Sequence, residues 1–423
     1  MMISKKVLIL QEDLFAIPDA NCKLIFRIAS QLCSIGYDVS MLGVARTDEE
    51  HVDTYNGIHL IHEPADRAKE ARRLSERLGR FKQLRYLLMP RTIGYRLQNK
   101  NYTPFYLETR RWLQHHVNEY DVLIACCSPY FTLALAAEVA NKIPVIYYKI
   151  DPVASWEGKN SRDELLATIE NEIAWDNVAS RIITTNVIFR YYNQLPTQVN
   201  AHKVILANYP NIYEHCSTEM ISPIVSSLDP AKVHLFFVGK LYADIRHPQY
   251  LFDLMEQLQD KPLELHIVGP LDKRGFSDAF IDKYVANQVP NIIFHGAVSP
   301  QEADELLLHA NVLVHIGNAV DNCMPSKILD YISTGKPILN ICKIPTCPTL
   351  PLMKRYPIGM TLDEAESITP QIVNQVFDFC MSNKEAVVPY SNIEQLYFDS
   401  TLEYVGNQFA KAIQDSINEF NTK

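Results

Sequence analysis

The chain has 423 residues, of which 47% are hydrophobic and 21% are charged, and its formal net charge is −9. This length suffices for two or three domains with separate cores, and the composition is typical of soluble globular proteins. No apolar run approaches the roughly 18 residues that a membrane-spanning helix needs.

Two features bear on the compartment. The N-terminus, "MMISKKVLILQEDLF", has a short apolar run and no small-residue cleavage site, which predicts a buried first strand and not a signal peptide. The nine cysteines show no CxxC spacing, which favours reduced thiols over a disulfide framework or a zinc site. We therefore expect a cytoplasmic protein without a zinc site. No bound metal and no cofactor are expected.

The first half alternates short apolar runs with helical segments. Strands are predicted at Val7–Leu10, Val39–Leu42, Val122–Ala125, Val145–Tyr148, Ile182–Thr184 and Val204–Ala207. Helices are predicted at Cys22–Cys33, Phe131–Asn141 and Glu164–Ala174. This alternation is typical of a parallel sheet that is covered on both faces.

A polar, proline-containing segment, Tyr209–Lys232, interrupts the alternation and is predicted to be a linker. The pattern then restarts, with strands at Val233–Val238, Leu263–Val268, Ile292–Phe294, Val312–His315 and Pro337–Ile341. Helices are predicted at Tyr250–Leu258, at Gln301–His309 and in "MPSKILDYISTGKPIL", where Pro325 precedes the helix and Gly335 ends it. The tail, 392–421, predicts one or two amphipathic helices. The fold class is therefore α/β, with two doubly wound, Rossmann-like domains.

Two common phosphate-binding and metal-binding motifs are missing from the sequence. No G-x-G-x-x-G follows a predicted strand, so the usual dinucleotide-binding turn is not indicated. No D-x-D occurs, so a carboxylate pair that holds the divalent metal of a sugar nucleotide is not indicated either.

Charge is distributed unevenly between the two halves. Residues 1–210 hold 25 Lys and Arg against 23 Asp and Glu, whereas the remainder holds 15 against 26. In that acidic second half, Lys240 and Arg246 follow a strand end, and Lys327 stands in the first turn of a helix. Because open α/β sheets bind ligands at the carboxyl ends of their strands, these cations predict an anion site.

Lys327 is the sharpest of these signals, because the helix dipole disfavours a cation in the first turn. A bound diphosphate would reverse the local field and make the lysine favourable. The alternative is a simple pair with Asp330, three residues on, worth a few tenths of a kcal/mol. From Lys327 alone, the two interpretations have about equal weight.

Four stretches, "VGKLYADIR", "LELHIVGP", "NIIFHGAVSPQEADELLLHANVLVHI" and "MPSKILDYISTGKPIL", resemble the C-terminal domain of GT-B-fold glycosyltransferases in order and spacing. The likeness is greatest to family-4-like retaining enzymes of bacterial surface-polysaccharide synthesis. It covers about 110 residues and extends more weakly into the N-terminal half. The resemblance implies a GT-B fold whose domains face across a cleft. The acceptor-side domain would comprise 1–208, with the 392–423 helices packing back on it, and the donor domain would comprise 209–391.

The resemblance also implies roles for individual residues. The donor diphosphate would be bound by Gly239, Lys240, Arg246, Ser326 and Lys327, and the ribose and base by Asp330, Gly269, Gly296 and Ala297. The catalytic candidates are Asn322, Asp321 and Asp151, and His315 and Asn318 would line the rim. The second acid of the family's Glu-x7-Glu pair matches Asp330. The first matches Asn322, which is an amide, so Asp321 beside it is the alternative.

The implied activity is sugar transfer from a nucleoside-diphosphate sugar to a glycan or polyprenyl-diphosphate-linked acceptor, with retention and without a metal. Such a protein would act in surface-polysaccharide or glycoconjugate synthesis. Two alternatives stay open: an inert GT-B protein that binds a nucleotide or a partner enzyme, which Asn322 favours, and an epimerase of the nucleotide sugar. Nucleic acid is not an expected partner, because the protein is acidic and has no known nucleic-acid-binding motif.

A basic segment, 66–112, holds 13 Lys and Arg against 4 acids. Within this segment, apolar residues recur at helical spacing: Ala68, Ala71, Leu74, Leu78, Phe81, Leu84 and Leu88. This stripe predicts a core-packing helix with a solvated basic face. The second interpretation places that face on an anionic membrane surface, together with the aromatic residues Tyr86, Tyr95, Tyr102, Phe105, Tyr106 and Trp112.

Overall fold

The structure is a computed structural model, which describes residues 4–11, 14, 20–43, 52–77, 103–127, 130–151, 168–192, 201–215, 222–271, 275–285 and 289–422. The chain divides into two compact units: Met1–Pro210 with Leu402–Lys423, and Asn211–Thr401. The boundaries drawn from the sequence lay at 208/209 and 391/392.

The described strands of the first unit form one sheet in the order β3-β4-β2-β1-β5-β6-β7-β8. All neighbours are parallel except the short β3–β4 pair. The strands are β1 Lys6–Gln11, β2 Asp38–Gly43, β3 Thr54–Tyr55, β4 Ile58–Ile61, β5 Val122–Cys127, β6 Val145–Lys149, β7 Arg181–Thr184 and β8 Val204–Leu206. Every residue of β5 and β6 is buried, as in a sheet with both faces covered.

Helices flank this sheet in βαβ connections. They are α1 Ala20–Ser34, α2 Glu63–Arg77, α3 Thr103–His116, α4 Phe131–Val139, α5 Ile169–Val178 and α6 Asn186–Tyr192. The predicted helix Glu164–Ala174 begins outside the described residues, and the described part runs on to Val178. The last helix of the chain, α15 (Leu402–Asn421), packs on α1, where a Cβ at Gly406 would lie 2.4 Å from the Gln31 Cγ atom. The Arg181 guanidinium pairs with Glu419, which ties α15 to β7.

The described strands of the second unit form a parallel sheet in the order β11-β10-β9-β12-β13-β14. They are β9 Val233–Val238, β10 Leu263–Val268, β11 Ile292–Gly296, β12 Val312–Ile316, β13 Ile338–Cys342 and β14 Gly359–Asp363. Alternate residues of β9, β10 and β12 join one core cluster with Leu251, Phe252 and Met255. Buried apolar area of this kind is the main stabilising term of the unit.

The helices of the second unit are α7 Pro223–Ser226, α8 Gln249–Gln257, α9 Asp278–Phe280, α10 Pro300–His309, α11 Lys327–Ser333, α12 Leu350–Met353, α13 Pro370–Asn383 and α14 Tyr390–Leu396. The prediction for the α11 segment is confirmed: the helix follows Pro325, and Gly335 lies just past its end with φ +71°. A Cβ at Gly335 would lie 2.2 Å from the Val388 carbonyl oxygen, so the stop requires glycine on both conformational and steric grounds.

Candidate functional site

The carboxyl ends of β9, β10 and β11 converge through backbone hydrogen bonds. The Gly239 amide donates to the Val268 carbonyl at 2.8 Å, and the Gly269 amide donates to the Gly296 carbonyl at 2.7 Å. Gly269 has φ +133°, and a Cβ there would lie 2.1 Å from the Gly239 carbonyl oxygen. The strand ends can therefore approach this closely only because residue 269 has no side chain. Gly296 and Ala297, at the end of β11, are exposed.

Arg246 is held in place by an amide. Its Nε and Nη2 atoms donate to the Asn318 Oδ1 atom at 3.1 and 2.7 Å. Asn318 is buried and donates in turn to the Cys323 carbonyl at 3.1 Å. A backbone bond from the Ala319 amide to the Ile245 carbonyl, at 2.8 Å, joins the same two loops. The guanidinium is thus pre-oriented by the loop that follows β12.

The charge of Arg246 has no acidic neighbour at ion-pair distance among the described residues. Burial lowers the pKa of this guanidinium, and the groups that act against burial are Tyr242, Cys323 and Tyr331, none of them a carboxylate. A desolvated cation without a counter-ion is costly. An anionic ligand would remove that cost.

Lys240 lies beside Arg246 across one aromatic ring. The Lys240 Nζ atom is 4.8 Å from the centroid of the Tyr242 ring, and the Arg246 Cζ atom is 5.9 Å from it. Cation–π contacts of this kind hold a cation without neutralising it. Within the described chain, Lys240 has no ion pair either.

Lys327 is the first residue of α11, and Ser326 before it makes no side-chain capping bond. The helix is tied to the end of β9 by Tyr331: the Tyr331 hydroxyl donates to the Val238 carbonyl at 3.0 Å and accepts from the Val238 amide at 2.8 Å. Val238 immediately precedes Gly239 and Lys240. The Lys327–Asp330 pair that was the alternative explanation of Lys327 is not formed. Instead, Asp330 accepts from the Asn211 amide at 2.9 Å.

The remaining donor-side candidates lie in the loop between β12 and α11. Asp321 is exposed and Asn322 is partly exposed. The same loop supplies Asn318. The segment that positions Arg246 therefore also carries Asn322, the amide that the resemblance aligns with the first acid of the Glu-x7-Glu pair. Nothing among the described contacts assigns a catalytic role to either residue.

His315 is buried near this loop, and burial, followed by the charge of Arg246, lowers its pKa to about 3, while its hydrogen bond to Asn340 acts in the opposite direction. Its Nδ1–H donates to the Asn340 Oδ1 atom at 2.8 Å, and its Nε2 atom has no described hydrogen-bond partner. A neutral imidazole next to a cation avoids like-charge repulsion.

Asp151 belongs to the first unit, just past the end of β6. It accepts from the Asn21 amide at 3.3 Å, and its backbone carbonyl accepts from the Cys127 thiol at 3.6 Å. Lys149, two residues earlier, is fully buried and pairs with Glu172 and Asp176. Sequence reasoning singled out Asp151 and missed this charged cluster, although the lysine that ends the otherwise apolar strand "VIYYK" was a visible signal.

The basic segment is only partly described. Its helix α2 ends at Arg77; Leu78, Phe81, Leu84, Leu88, Tyr86, Tyr95 and Tyr102 lie outside the described residues, as do the side chains of Ala71 and Leu74. Ala68 is buried, which fits the core-packing interpretation. Phe105 and Tyr106 are also buried, so their predicted place on a membrane surface is wrong. Among the described helices, none is long and apolar enough to cross a membrane.

The fold is GT-B, as comparison with solved structures shows. HepE from Anabaena, in complex with UDP and glucose, is 13% identical, with a TM-score of 0.65 over 97% of this chain and 99% of its own. Sucrose-phosphate synthase from Thermosynechococcus elongatus is 13% identical, with a TM-score of 0.67 over 99% and 100%. WaaG, a glycosyltransferase involved in lipopolysaccharide biosynthesis, is 14% identical, with a TM-score of 0.54 over 99% and 95%. At these identities, the likeness establishes architecture and nothing finer.

Residues 232–346 match the family of glycosyl transferases group 1, so this part of the second unit is similar to a group 1 glycosyltransferase domain. The matched segment runs from β9 to just past β13 and includes Lys240, Arg246, Asn318 and Lys327. Comparison with curated protein sequences finds no significant match.

Proposed function

We propose that this protein is a glycosyltransferase that takes a sugar from a nucleoside-diphosphate donor, with UDP-sugars as the first donors to test. The observation that carries the proposal is Arg246, a partly buried cation that Asn318 orients and that has no carboxylate partner among the described residues. The group 1 domain supports the same chemistry. So do the complexes of HepE, a protein of the same fold, with UDP and UDP-glucose.

In this proposal, Arg246 and Lys240 bind the donor diphosphate, with Lys327 and the Ser326 hydroxyl beside it. Bond cleavage at the anomeric carbon leaves negative charge on the departing diphosphate. Pre-oriented cations stabilise that charge without reorganisation, and removal of one such contact typically costs on the order of 3 kcal/mol, or 10²-fold in rate. Gly239, Gly269, Gly296 and Ala297 would leave room for the nucleotide at the strand ends.

Asp330 is the proposed ribose ligand. One of its oxygens accepts from Asn211 at 2.9 Å. That bond orients the carboxylate, and carboxylate oxygens are acceptors of the kind that ribose hydroxyls require. Asn211 is therefore a positioning residue of the proposed site.

Asn322 and Asp321 are the residues that bear on whether the protein is an active glycosyltransferase or an inert GT-B protein. An amide at 322 can hydrogen-bond a sugar hydroxyl but cannot stabilise positive charge at the anomeric carbon, and this favours an inert GT-B protein that binds a nucleotide or a partner enzyme. We propose that Asp321 supplies the missing carboxylate and that transfer proceeds with retention and without a metal. An epimerase of the nucleotide sugar is the third possibility.

The acceptor side rests on Asp151 in the first unit, which we propose contacts a glycan or polyprenyl-diphosphate-linked acceptor. The proposed setting is surface-polysaccharide synthesis in the cytoplasm, and the basic residues of 66–112 are proposed to rest on the inner face of the membrane. WaaG, a protein of the same fold, is involved in lipopolysaccharide biosynthesis, which supports this choice.

The test is a thermal-shift panel of UDP, GDP, ADP and CMP on the wild type, Arg246→Ala and Lys327→Ala, with exposed Lys354→Ala as the matched control. A ligand at 100 times its dissociation constant stabilises by about 2.7 kcal/mol, which moves the midpoint by several degrees. We expect one nucleotide to shift the wild type and Lys354→Ala but neither site variant. A folded wild type that responds to none of the four contradicts the diphosphate site.

Product analysis with the sugar nucleotide of the responding base then separates the three activities. Transfer to an acceptor or slow hydrolysis identifies the transferase, and an isomerised sugar nucleotide identifies the epimerase. Nucleotide binding without turnover identifies the inert protein. In the transferase, Asp321→Asn is expected to lower kcat with little change in donor KM.

A further inference from the structure

Three histidines lie side by side on neighbouring strands of the second unit: His234 on β9, His266 on β10 and His295 on β11. Parallel register places His234 opposite Glu264. Between β10 and β11 the register shifts, since Ile267 pairs with Phe294 but Val268 pairs with Gly296. His295 is the extra residue of this bulge, and a bulge re-aims its side chain. His295 consequently reaches the His266 ring.

Three potential ligand atoms face one another in this cluster. The His234 Nδ1 and His266 Nε2 atoms are 3.0 Å apart, and the Glu264 Oε2 atom lies 3.5 Å from the first and 3.8 Å from the second. In a tetrahedral zinc site with metal–nitrogen bonds of about 2.0–2.1 Å, ligand atoms are separated by roughly 3.3 Å. The triangle therefore has the size that one four-coordinate Zn²⁺ requires.

Each of the three residues is also held through its other polar atom. The His234 Nε2–H donates to the Asp229 carbonyl at 2.9 Å, and the His266 Nδ1 atom lies 2.9 Å from the His295 Nε2 atom. The Glu264 Oε1 atom accepts from Lys232 at 2.6 Å. Outer contacts of this kind fix the orientation and tautomer of metal-binding side chains.

Burial favours a built site over a chance surface cluster. His234 and His266 are 4% and 2% exposed, and the Glu264 side chain is 13% exposed. Imidazole nitrogens with one carboxylate are a ligand set that suits zinc.

We propose that His234, Glu264 and His266 bind one Zn²⁺ ion, with the fourth position open to water. His234 and Glu264 are the second residues of β9 and β10. They therefore lie at the amino-terminal ends of these strands, whereas Gly239 and Gly269 follow the carboxyl ends. The ion would cross-link the neighbouring strands β9 and β10 at a distance from the proposed nucleotide site. The cysteine spacing gave no sign of it, because no cysteine is a ligand.

The alternative is a chain of neutral hydrogen bonds, in which His295 donates to His266, His266 to His234 and His234 to Asp229. That chain accounts for both ring nitrogens of His234 and His266 and for the His295 Nε2 atom. It leaves unexplained why the Glu264 Oε2 atom lies against both His234 and His266. The zinc site predicts that added Zn²⁺ or Co²⁺ is retained, whereas the hydrogen-bond chain predicts that it is not.

The experiment loads the dialysed full-length chain with Zn²⁺ and measures bound metal by mass spectrometry after gel filtration. The wild type and exposed His59→Ala are expected to retain one Zn²⁺ per chain, and His234→Asn and Glu264→Gln to bind it at least 10-fold more weakly. Retention that neither variant changes overturns the site and indicates adventitious surface binding.

Wild-type protein alone gives a second readout, which does not depend on whether the variants fold. Co²⁺ in place of Zn²⁺ is expected to show the strong visible absorption of a four-coordinate ion and to be displaced by Zn²⁺. The weak spectrum of six-coordinate Co²⁺, or no retained metal, leaves the hydrogen-bond chain as the explanation and overturns the proposal. Nucleotide binding plays no part in either measurement, so failure here does not affect the proposed transferase.

Discussion

Two cations withdrawn from solvent are treated in opposite ways in the two units. In the first unit, Lys149 is fully buried, and its ammonium lies 3.0 Å from Glu172 and 2.5 Å from Asp176. In the second unit, Arg246 is partly buried and is held by an amide that carries no charge. The charge of Lys149 is compensated by carboxylates of the protein. The charge of Arg246 is available to an anionic ligand.

The pKa shifts report the same contrast. For Lys149, burial opposes the charged form, but Asp176 and Glu172 raise the pKa above its ordinary value. For Arg246, burial lowers the pKa, and no carboxylate of the described residues compensates for it. An internally paired cation is a structural element, and a desolvated cation without a counter-ion is a binding element. The predictions below test that distinction.

The largest expected effect is on stability. Lys149→Met leaves two buried carboxylates without their cation, and breaking such a cluster typically costs about 3–5 kcal/mol of unfolding free energy. Urea titration of the folded variant measures it, with exposed Lys142→Met as the control. A loss below about 1 kcal/mol would mean that the cluster is not a structural element.

Arg246→Met is expected to weaken nucleotide binding and to leave stability nearly unchanged. Nucleoside-diphosphate affinity falls about 10²-fold, since a pre-oriented charged contact to phosphate is lost. Unfolding free energy changes by less than about 1 kcal/mol, because the charge had no counter-ion to lose. Calorimetric titration and urea unfolding measure the two quantities on the same samples. A variant that unfolds readily while its affinity is retained would reverse the assignments of the two cations.

The fold was predictable because the central strands of both sheets are buried on both faces and are therefore largely apolar runs. The prediction lacked β14, whose sequence GMTLD lies at the sheet edge and is largely exposed or half-buried. An edge strand needs no apolar run. Strand β3 was missed for the same reason, since it is a short, exposed edge strand. Strand β4 has neighbours on both sides, but its burial alternates along only four residues, IHLI.

The site was predictable in part. Arg246 and Lys327 stood out because they interrupt an acidic half at strand-to-helix junctions, and position along the chain suffices for that inference. Asn318 was predicted on the rim, but its bonds to Arg246 join residues 72 positions apart, and local pattern carries no information about such a contact. Asp330 likewise accepts from Asn211, which lies 119 positions away, and no local pattern shows that contact.

His315 extends the comparison to pH. Its pKa of about 3 lies below the ordinary value of 6.5, first through burial and then through the charge of Arg246. The unfolded chain therefore takes up a proton that the folded protein refuses, and stability present above pH 6.5 is lost as pH falls toward 3. One such group contributes a slope of about 1.4 kcal/mol per pH unit.

His315→Gln is expected to reduce that slope between pH 6 and pH 4, and exposed His59→Gln is expected to leave it unchanged. Urea unfolding at several pH values measures it. Equal slopes in wild type and His315→Gln would show that His315 titrates normally in the folded protein, and that the Arg246 charge does not reach it.

The smallest expected effect tests how Arg246 is held. Asn318→Ala removes the acceptor of two hydrogen bonds to the guanidinium but leaves its charge, so nucleotide affinity is expected to fall about 5- to 10-fold, or roughly 1–1.4 kcal/mol. Exposed Asn392→Ala is the control. Because Asn318 is inferred to act only through Arg246, Asn318→Ala in the Arg246→Met background is expected to cost nothing further, a non-additivity that a double-mutant cycle measures directly. Fully additive losses would mean that Asn318 contacts the nucleotide itself and that Arg246 is oriented by other groups.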